Sequence, residues 1–346
     1  MTTHPIQFGY CVPIFALPGG QLFRTPNYAE LDVATTMRLA QSADALGYDS
    51  LWVADHLMLG KDDAIMEGWT TLAALAGSTR RARLGIIHQA HFFRQPAVAA
   101  KMIATLDQIS GGRFIYFIDV GTRPGEHHAY GLPYPDTMEE RMAMLLEGLE
   151  LARALWSGER VTFDGSYYRL KDAVCTPRPV TLPHPPLWFG ESHPLVLEAC
   201  ARYGQGWNSV PVPLDELQRR LDALDAACRA IGRDSAEIEK TLETQILIAP
   251  DRPALRERLR DMLPLTPPGA PTFEDADFRA FVDGASDDLP ASLCESWLLG
   301  TPDEVGQQIE RRIAVGFTHF MLWFVDAPRE DGMRLFIEQV APALRA

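Results

Sequence analysis

The stretch from Leu84 to Gly131 (LGIIHQAHFFRQPAVAAKMIATLDQISGGRFIYFIDVGTRPGEHHAYG) constrains the fold more than any other part of the chain. Leu84 to His88 is a short, mostly apolar run. Pro96 to Ser110 then places Val98, Met102, Ile103, Leu106 and Ile109 close to the i, i+3, i+4 spacing of a helix. Pro96 suits a first helical turn, where its missing N–H has no intrahelical partner to lose. Gly111 and Gly112 supply a C-terminal stop. Phe114 to Val120 is almost entirely apolar, the mark of a strand buried on both faces. Two buried strands joined by a helix make a βαβ unit. In parallel α/β folds the chemistry collects at the C-terminal ends of such strands. Asp119, Glu126, His127 and His128 fall there.

The same alternation runs along the rest of the chain. Strands are expected at Ile6–Val12, Leu51–Ala54, Leu84–His88, Phe114–Val120, Pro186–Gly190, Gly206–Asn208, Leu242–Ala249 and His319–Val325. Helical patterns lie between them: Leu31–Gly47, Gly68–Ser78, Pro96–Ser110, Thr137–Leu155, a helix ending near Arg202, Leu214–Ile231, Pro302–Val315 and a closing helix from Gly332. Val161–Val180 reads as short rim strands and turns. Eight strands suit a closed (β/α)8 TIM barrel, the α/β architecture that commonly takes about 250 residues or more. An open doubly wound sheet is the alternative. No linker or repeat divides the chain, so one domain over residues 1–346 is expected. Pro264 to Pro290, after strand 7, is polar and too long for an ordinary connection, which predicts a mobile lid insertion.

The formal charge is −14, which argues against nucleic acid or an anionic membrane as partner. The five cysteines are scattered and include no CxxC, so neither a disulfide framework nor a zinc pattern is expected. No signal peptide or apolar run of membrane-spanning length is visible, and a reduced, cytoplasmic setting is the simplest reading.

His56 follows strand 2 beside Asp55. It can either hydrogen-bond the barrel rim or serve as a general acid or base. His88, His91, His127 and His128 also lie near strand ends, but in neither an HxH nor an HExxH pattern. A polar pocket is favoured over a metal site, and no metal is expected. Glu191-Ser192 opens the helix after strand 5, where free N–H groups favour an anion. Ser192 can equally act only as the N-cap. Arg141 can reach the same rim or remain a solvated surface residue.

Taken together, these pieces resemble the bacterial luciferase-like family of flavin-dependent monooxygenases. The resemblance rests on LDQISGGRF (Leu106–Phe114), LWVADH (Leu51–His56), WFGES (Trp188–Ser192) and GTPDEV (Gly300–Val305) in that order. It implies a TIM barrel with flavin across the C-terminal mouth. His56 matches the catalytic His, and Glu191, Ser192 and Arg141 match positions around the flavin phosphate. It also implies a non-prolyl cis peptide under the ring, placed at Ile87-His88, and a cofactor-side role for Gly121. Asp119 and Val120 depart from the pattern, since many relatives carry glycine at the first and luciferase carries arginine at the second. His91, His127 and His128 are expected in the substrate pocket with Asp119.

The leading expectation is a two-component monooxygenase using O2 and reduced FMN from a separate flavin reductase on a small-molecule substrate, with His56 beside the flavin peroxide. A deazaflavin-dependent hydride-transfer oxidoreductase is the near alternative. A non-catalytic flavin-binding relative and a metal-dependent hydrolase stand further off. Apolar faces such as Leu72 to Leu75 are expected to serve a homodimer.

Overall fold

The computed structural model describes residues 4–16, 30–265 and 275–345. The eight barrel strands are β1 (Gln7–Cys11), β2 (Ser50–Ala54), β3 (Arg83–Ile87), β4 (Phe114–Asp119), β5 (Leu187–Gly190), β6 (Gly206–Ser209), β7 (Glu239–Ile248) and β8 (His319–Phe324). All are paired in parallel and in sequence order. Tyr10 lies opposite Leu51, Leu51 opposite Leu84, and Leu84 opposite Phe114. Gln7 opposite His319 closes the cylinder. β2, β4, β5 and β8 are buried at every position, which is why they read as continuous apolar runs.

The helices that bear on the site are α1 (Val33–Leu46), α2 (Gly68–Ser78), α3 (Pro96–Ser110), α4 (Pro124–Ala129), α5 (Met138–Trp156), α6 (Pro194–Tyr203), α7 (Leu214–Ala230), α8 (Arg252–Met262) and α9 (Ala276–Asp283). Their ends follow local chemistry. The Asp32 carboxylate caps α1 by accepting from the Thr35 amide, and Gly111 ends α3 in the left-handed conformation at φ 69°.

Large aromatics fill the barrel interior. Trp52 and Trp188 have ring centroids 5.1 Å apart, and Phe117 meets both edge-on or tilted. Two glycines make room for the indoles. A Cβ on Gly85 would lie 2.0 Å from Trp52 Cζ3, and one on Gly206 would lie 2.4 Å from Trp188 Nε1. The chain places a ring and a glycine at facing positions, so neither can change alone.

Three expectations need correction. β7 is ten residues long and supports two neighbours on one edge: β6 along Glu239–Leu242 and an additional strand, Trp297–Gly300, along Gln245–Ile248. That additional strand was absent from the pattern reading. The 264–290 insertion falls after β7 as expected, but residues 275–290 are not an open loop. Phe278, Phe281 and Val282 of α9 pack with Leu255, Leu259 and Trp297 in a second apolar cluster. Residues 266–274 of the insertion lie outside the described residues. Finally, Leu72 and Leu75 are fully buried within this chain, so they cannot form a dimer face.

Candidate active site at the barrel mouth

The C-terminal strand ends converge on a cavity of about 390 Å³ whose lining includes Phe15, His56, His88, Asp119, Glu243 and Trp323. A second cavity of about 280 Å³ is lined by Met142, Phe189, Glu191, His193 and Arg141 among others. The two share Asp119, Gly121 and Thr122, so together they form one elongated groove across the mouth.

Asp55 and His56, adjacent in sequence, have different partners. Asp55 is buried and holds Arg94 through two hydrogen bonds of 2.8 and 2.9 Å. It also accepts from the Ala90 amide at 3.1 Å. Burial raises its pKa, against the pull of Arg94. Arg94 continues to Glu67 at 2.7 Å and lies over the Trp69 ring. This ion pair ties the β2 end to the segment after β3.

His56 turns its Nδ1 to Glu126 Oε1 at 2.8 Å. The other oxygen, Oε2, accepts from the backbone amides of Leu57 at 2.7 Å and Met58 at 3.3 Å. Burial pushes the Glu126 carboxyl upward, but the His56 hydrogen bond and charge and the two amides outweigh it and hold it below its ordinary value. An ionised Glu126 only accepts, so Nδ1 of His56 must donate. The neutral ring then offers Nε2 as an acceptor.

His88 sits at the junction expected from the resemblance: the Ile87-His88 peptide is cis. Its ring packs on Phe117 with centroids 4.6 Å apart. Nδ1 lies 3.9 Å from Asp119 Oδ2, and Nε2 lies 3.5 Å from Glu243 Oε2. Asp119 is fully buried; burial raises its pKa, partly offset by His88, and its Oδ1 accepts the Gly121 amide at 2.7 Å. Glu243 accepts from Trp323 Nε1 at 2.7 Å. In the second cavity, Arg141 donates to the carbonyls of Pro135 (2.8 Å) and Asp136 (3.1 Å) and stacks on Tyr134. Its Nε is buried without a partner among the described residues.

The structure gathers His56, Ile87, His88, Asp119, Gly121 and His127 around the first cavity, and Arg141 and Glu191 around the second. The other predicted site residues lie elsewhere. Ser192 is half-buried, lines neither cavity and does not cap α6; His193 does, with Nδ1 accepting from the Leu195 amide. His91 is buried against Gly148, with Nε2 3.0 Å from the Tyr168 hydroxyl. Burial lowers its pKa to about 4, and it lines neither cavity. His128 is exposed on α4 and lines neither cavity.

Sequence reading missed Glu243 and Arg94, and it placed Glu126 near the strand ends without pairing it to His56. The first half of β7 is polar as well as buried, so Glu243 did not stand out in the sequence. Among the described residues, no group of three or more His, Cys, Asp or Glu side chains could hold a metal ion. Nor is any helix of the described residues long and apolar enough to cross a membrane.

A closed parallel barrel with an imidazole–carboxylate pair at its mouth and an elongated groove beside it is built for acid–base chemistry on a bound ligand. The chain belongs to the luciferase-like monooxygenase family, whose model matches residues 7–319. It is 30% identical to the F420-dependent glucose-6-phosphate dehydrogenase of Nakamurella multipartita, over the whole chain and 98% of that protein. The corresponding protein of Kineococcus radiotolerans is 31% identical over 88% of the chain and 91% of its own length. An F420-dependent secondary alcohol dehydrogenase shares the fold at a TM-score of 0.74 and 24% identity, over 99% of this chain and 100% of that one. These relatives overturn the leading expectation of reduced FMN, O2 and monooxygenation. The family resemblance was sound, but the choice of FMN over the deazaflavin alternative was not.

Proposed function

We propose that this protein is a deazaflavin-dependent oxidoreductase that moves a hydride between coenzyme F420 and a small alcohol or carbonyl substrate. The observation that carries the reading is full-length similarity to curated F420-dependent dehydrogenases. The groove fits such a coenzyme: its two chambers suit a flat ring and a polar tail, and the unpartnered Arg141 Nε suits an anionic group. On this reading Ile87 and His88 lie against the ring, while Arg141, Gly121 and the Glu191 backbone hold the tail.

When bound, the deazaflavin supplies the hydride acceptor or donor. His56 receives the substrate hydroxyl proton at Nε2 as the carbinol C–H bond gives up its electron pair. Glu126 is the positioning residue that fixes the imidazole tautomer. Phe15, Phe93 and Trp323 keep water from the reacting atoms. The separate flavin reductase was expected only as a source of reduced FMN and has no place in this scheme. A cytoplasmic setting and a homodimer belong to the same proposal. For the dimer, the exposed Val98 and Ile109 on α3 replace Leu72 and Leu75 as the candidate face.

Anaerobic titration of the purified protein with oxidised F420 and with FMN tests the coenzyme assignment. Selective saturable binding of F420 is expected, followed by substrate-dependent loss of its visible absorbance without oxygen uptake. Equal or tighter binding of FMN overturns it.

A further inference from the structure

We propose, on the deazaflavin reading above, that the mouth cavity takes an uncharged alcohol and not a sugar phosphate. The curated relatives are described as acting on glucose 6-phosphate. A phosphate monoester brings a charge of about −1.5 to −2 at pH 7 and is held by arginine, lysine or helix N-terminal amides. The described lining of the mouth cavity carries the opposite sign. Among its described lining residues there is no lysine, although the chain holds four, and the one guanidinium is that of Arg123. Arg123 is half-exposed at the rim and already lies 3.7 Å from Glu126.

Three carboxylates face the cavity instead: Asp55, Asp119 and Glu243. Arg94 neutralises Asp55. Asp119 and Glu243 are both buried and flank the single imidazole of His88 at 3.9 and 3.5 Å. Even a protonated His88 therefore leaves this floor with no positive charge to spare when both carboxyls are ionised. A phosphate placed here would be desolvated beside like charges, the arrangement that ion-pair energetics penalise most. The remaining polar equipment suits a hydroxyl: Nε2 of His56 accepts its proton, and the His88–Asp119–Glu243 cluster can hydrogen-bond a neutral polar substituent. Phe15 and Trp323, with centroids 5.8 Å apart, supply an apolar wall for the carbon skeleton. The groove's unpartnered cationic donor, Arg141 Nε, lies in the other chamber, where the coenzyme tail is placed.

The reaction balances without another reactant. The secondary alcohol loses its carbinol hydrogen with the bonding pair to the oxidised deazaflavin and its hydroxyl proton to His56, leaving a ketone and reduced coenzyme.

The test uses the full-length protein loaded with oxidised F420 and follows the coenzyme absorbance. Glucose 6-phosphate, glucose, 2-propanol and cyclohexanol are supplied in turn, with inorganic phosphate as competitor. At least one uncharged alcohol is expected to exceed glucose 6-phosphate in kcat/KM by on the order of 100-fold, the discrimination typical of a charged group left unpaired. Phosphate is expected not to compete with it. Glu243→Gln removes one repelling charge and should narrow the ratio about tenfold, which corresponds to the modest energy of one such charge; Asp119→Asn serves if that variant does not fold. Preferred turnover of glucose 6-phosphate, competition by phosphate, or no turnover of any uncharged alcohol overturns the proposal. Failure to bind F420 instead overturns the coenzyme reading on which it rests.

Discussion

Replacing Glu126 with Gln should disable His56 through its tautomer and leave the fold intact. The change is nearly isosteric, so no cavity opens. Its consequence follows from the donors around the carboxylate. The Leu57 and Met58 amides point at Oε2 from 2.7 and 3.3 Å and can only donate. They therefore select the oxygen of the substituted amide for that position, which turns its NH2 group toward His56 Nδ1, in the place of the Oε1 that lies 2.8 Å away in the native protein. Two donors cannot face each other, so Nδ1 must become an acceptor and the ring proton must move to Nε2. The nitrogen presented to the cavity then carries a proton where it should take one. Loss of a positioned base costs about 10²–10⁴-fold, and a base locked in the wrong tautomer falls at the upper end of that range. The corresponding rise in barrier is about 3–5 kcal/mol. Steady-state kcat with F420 and an accepted alcohol measures it, alongside coenzyme affinity, which should stay within about threefold because Glu126 does not line the groove. Glu126→Asp, which restores an acceptor at Nδ1, should recover part of the loss. A Glu126→Gln variant with kcat near wild type and an unchanged pH profile would refute the tautomer reasoning.

His56→Ala should lower kcat by about 10²–10⁴-fold while coenzyme affinity changes only a few-fold, measured by the same assay and by anaerobic titration. Arg141→Gln should do the converse: F420 affinity falls by roughly 10–100-fold, the range for one charge-assisted hydrogen bond, with kcat at saturation nearly unchanged. His91 predicts a pH effect on stability. Its folded-state pKa is depressed to about 4 by burial, so the unfolded chain binds the extra proton first as pH falls below about 6.5. Stability from this group is therefore complete above that pH and lost toward pH 4, by about 3 kcal/mol at most. Urea denaturation at pH 4.5 and 7 should show a smaller difference in His91→Gln than in the wild type; equal differences would contradict the assignment.

Much of the barrel was legible because β2, β3, β4 and β5 are buried on both faces and carry apolar runs that turn polar only near their ends. The same property made His56, His88 and Asp119 stand out. What stayed hidden depended on direction rather than composition. His91 follows His88 by three residues, yet its side chain turns outward onto Gly148 and Tyr168, a turn the pattern does not encode. Glu243 was passed over because strand position alone does not say that it faces His88. The Trp297–Gly300 strand is only four residues long, and it pairs with the part of β7 that β6 has left. The cofactor was misread for a different reason. The His after β2 and the glycine after β4 border a groove whose shape suits the ring common to flavin and deazaflavin. The atom that separates oxygen chemistry from hydride chemistry belongs to the cofactor.

Asp55 and His56 show why a motif can be recognised correctly and still leave the roles open. Both are polar residues at the end of one buried strand, and both have a charged partner from later in the chain. Arg94 takes both oxygens of Asp55, so that carboxylate has little capacity left for a proton or a substrate. Glu126 takes one nitrogen of His56 and leaves the other toward the cavity. The distinction lies in the valence each partner consumes. A guanidinium fork matches a carboxylate in full, whereas a carboxylate oxygen matches half of an imidazole. Which of the two keeps a free polar atom toward the cavity is therefore set by residues 39 and 70 positions downstream, which no reading confined to LWVADH could supply.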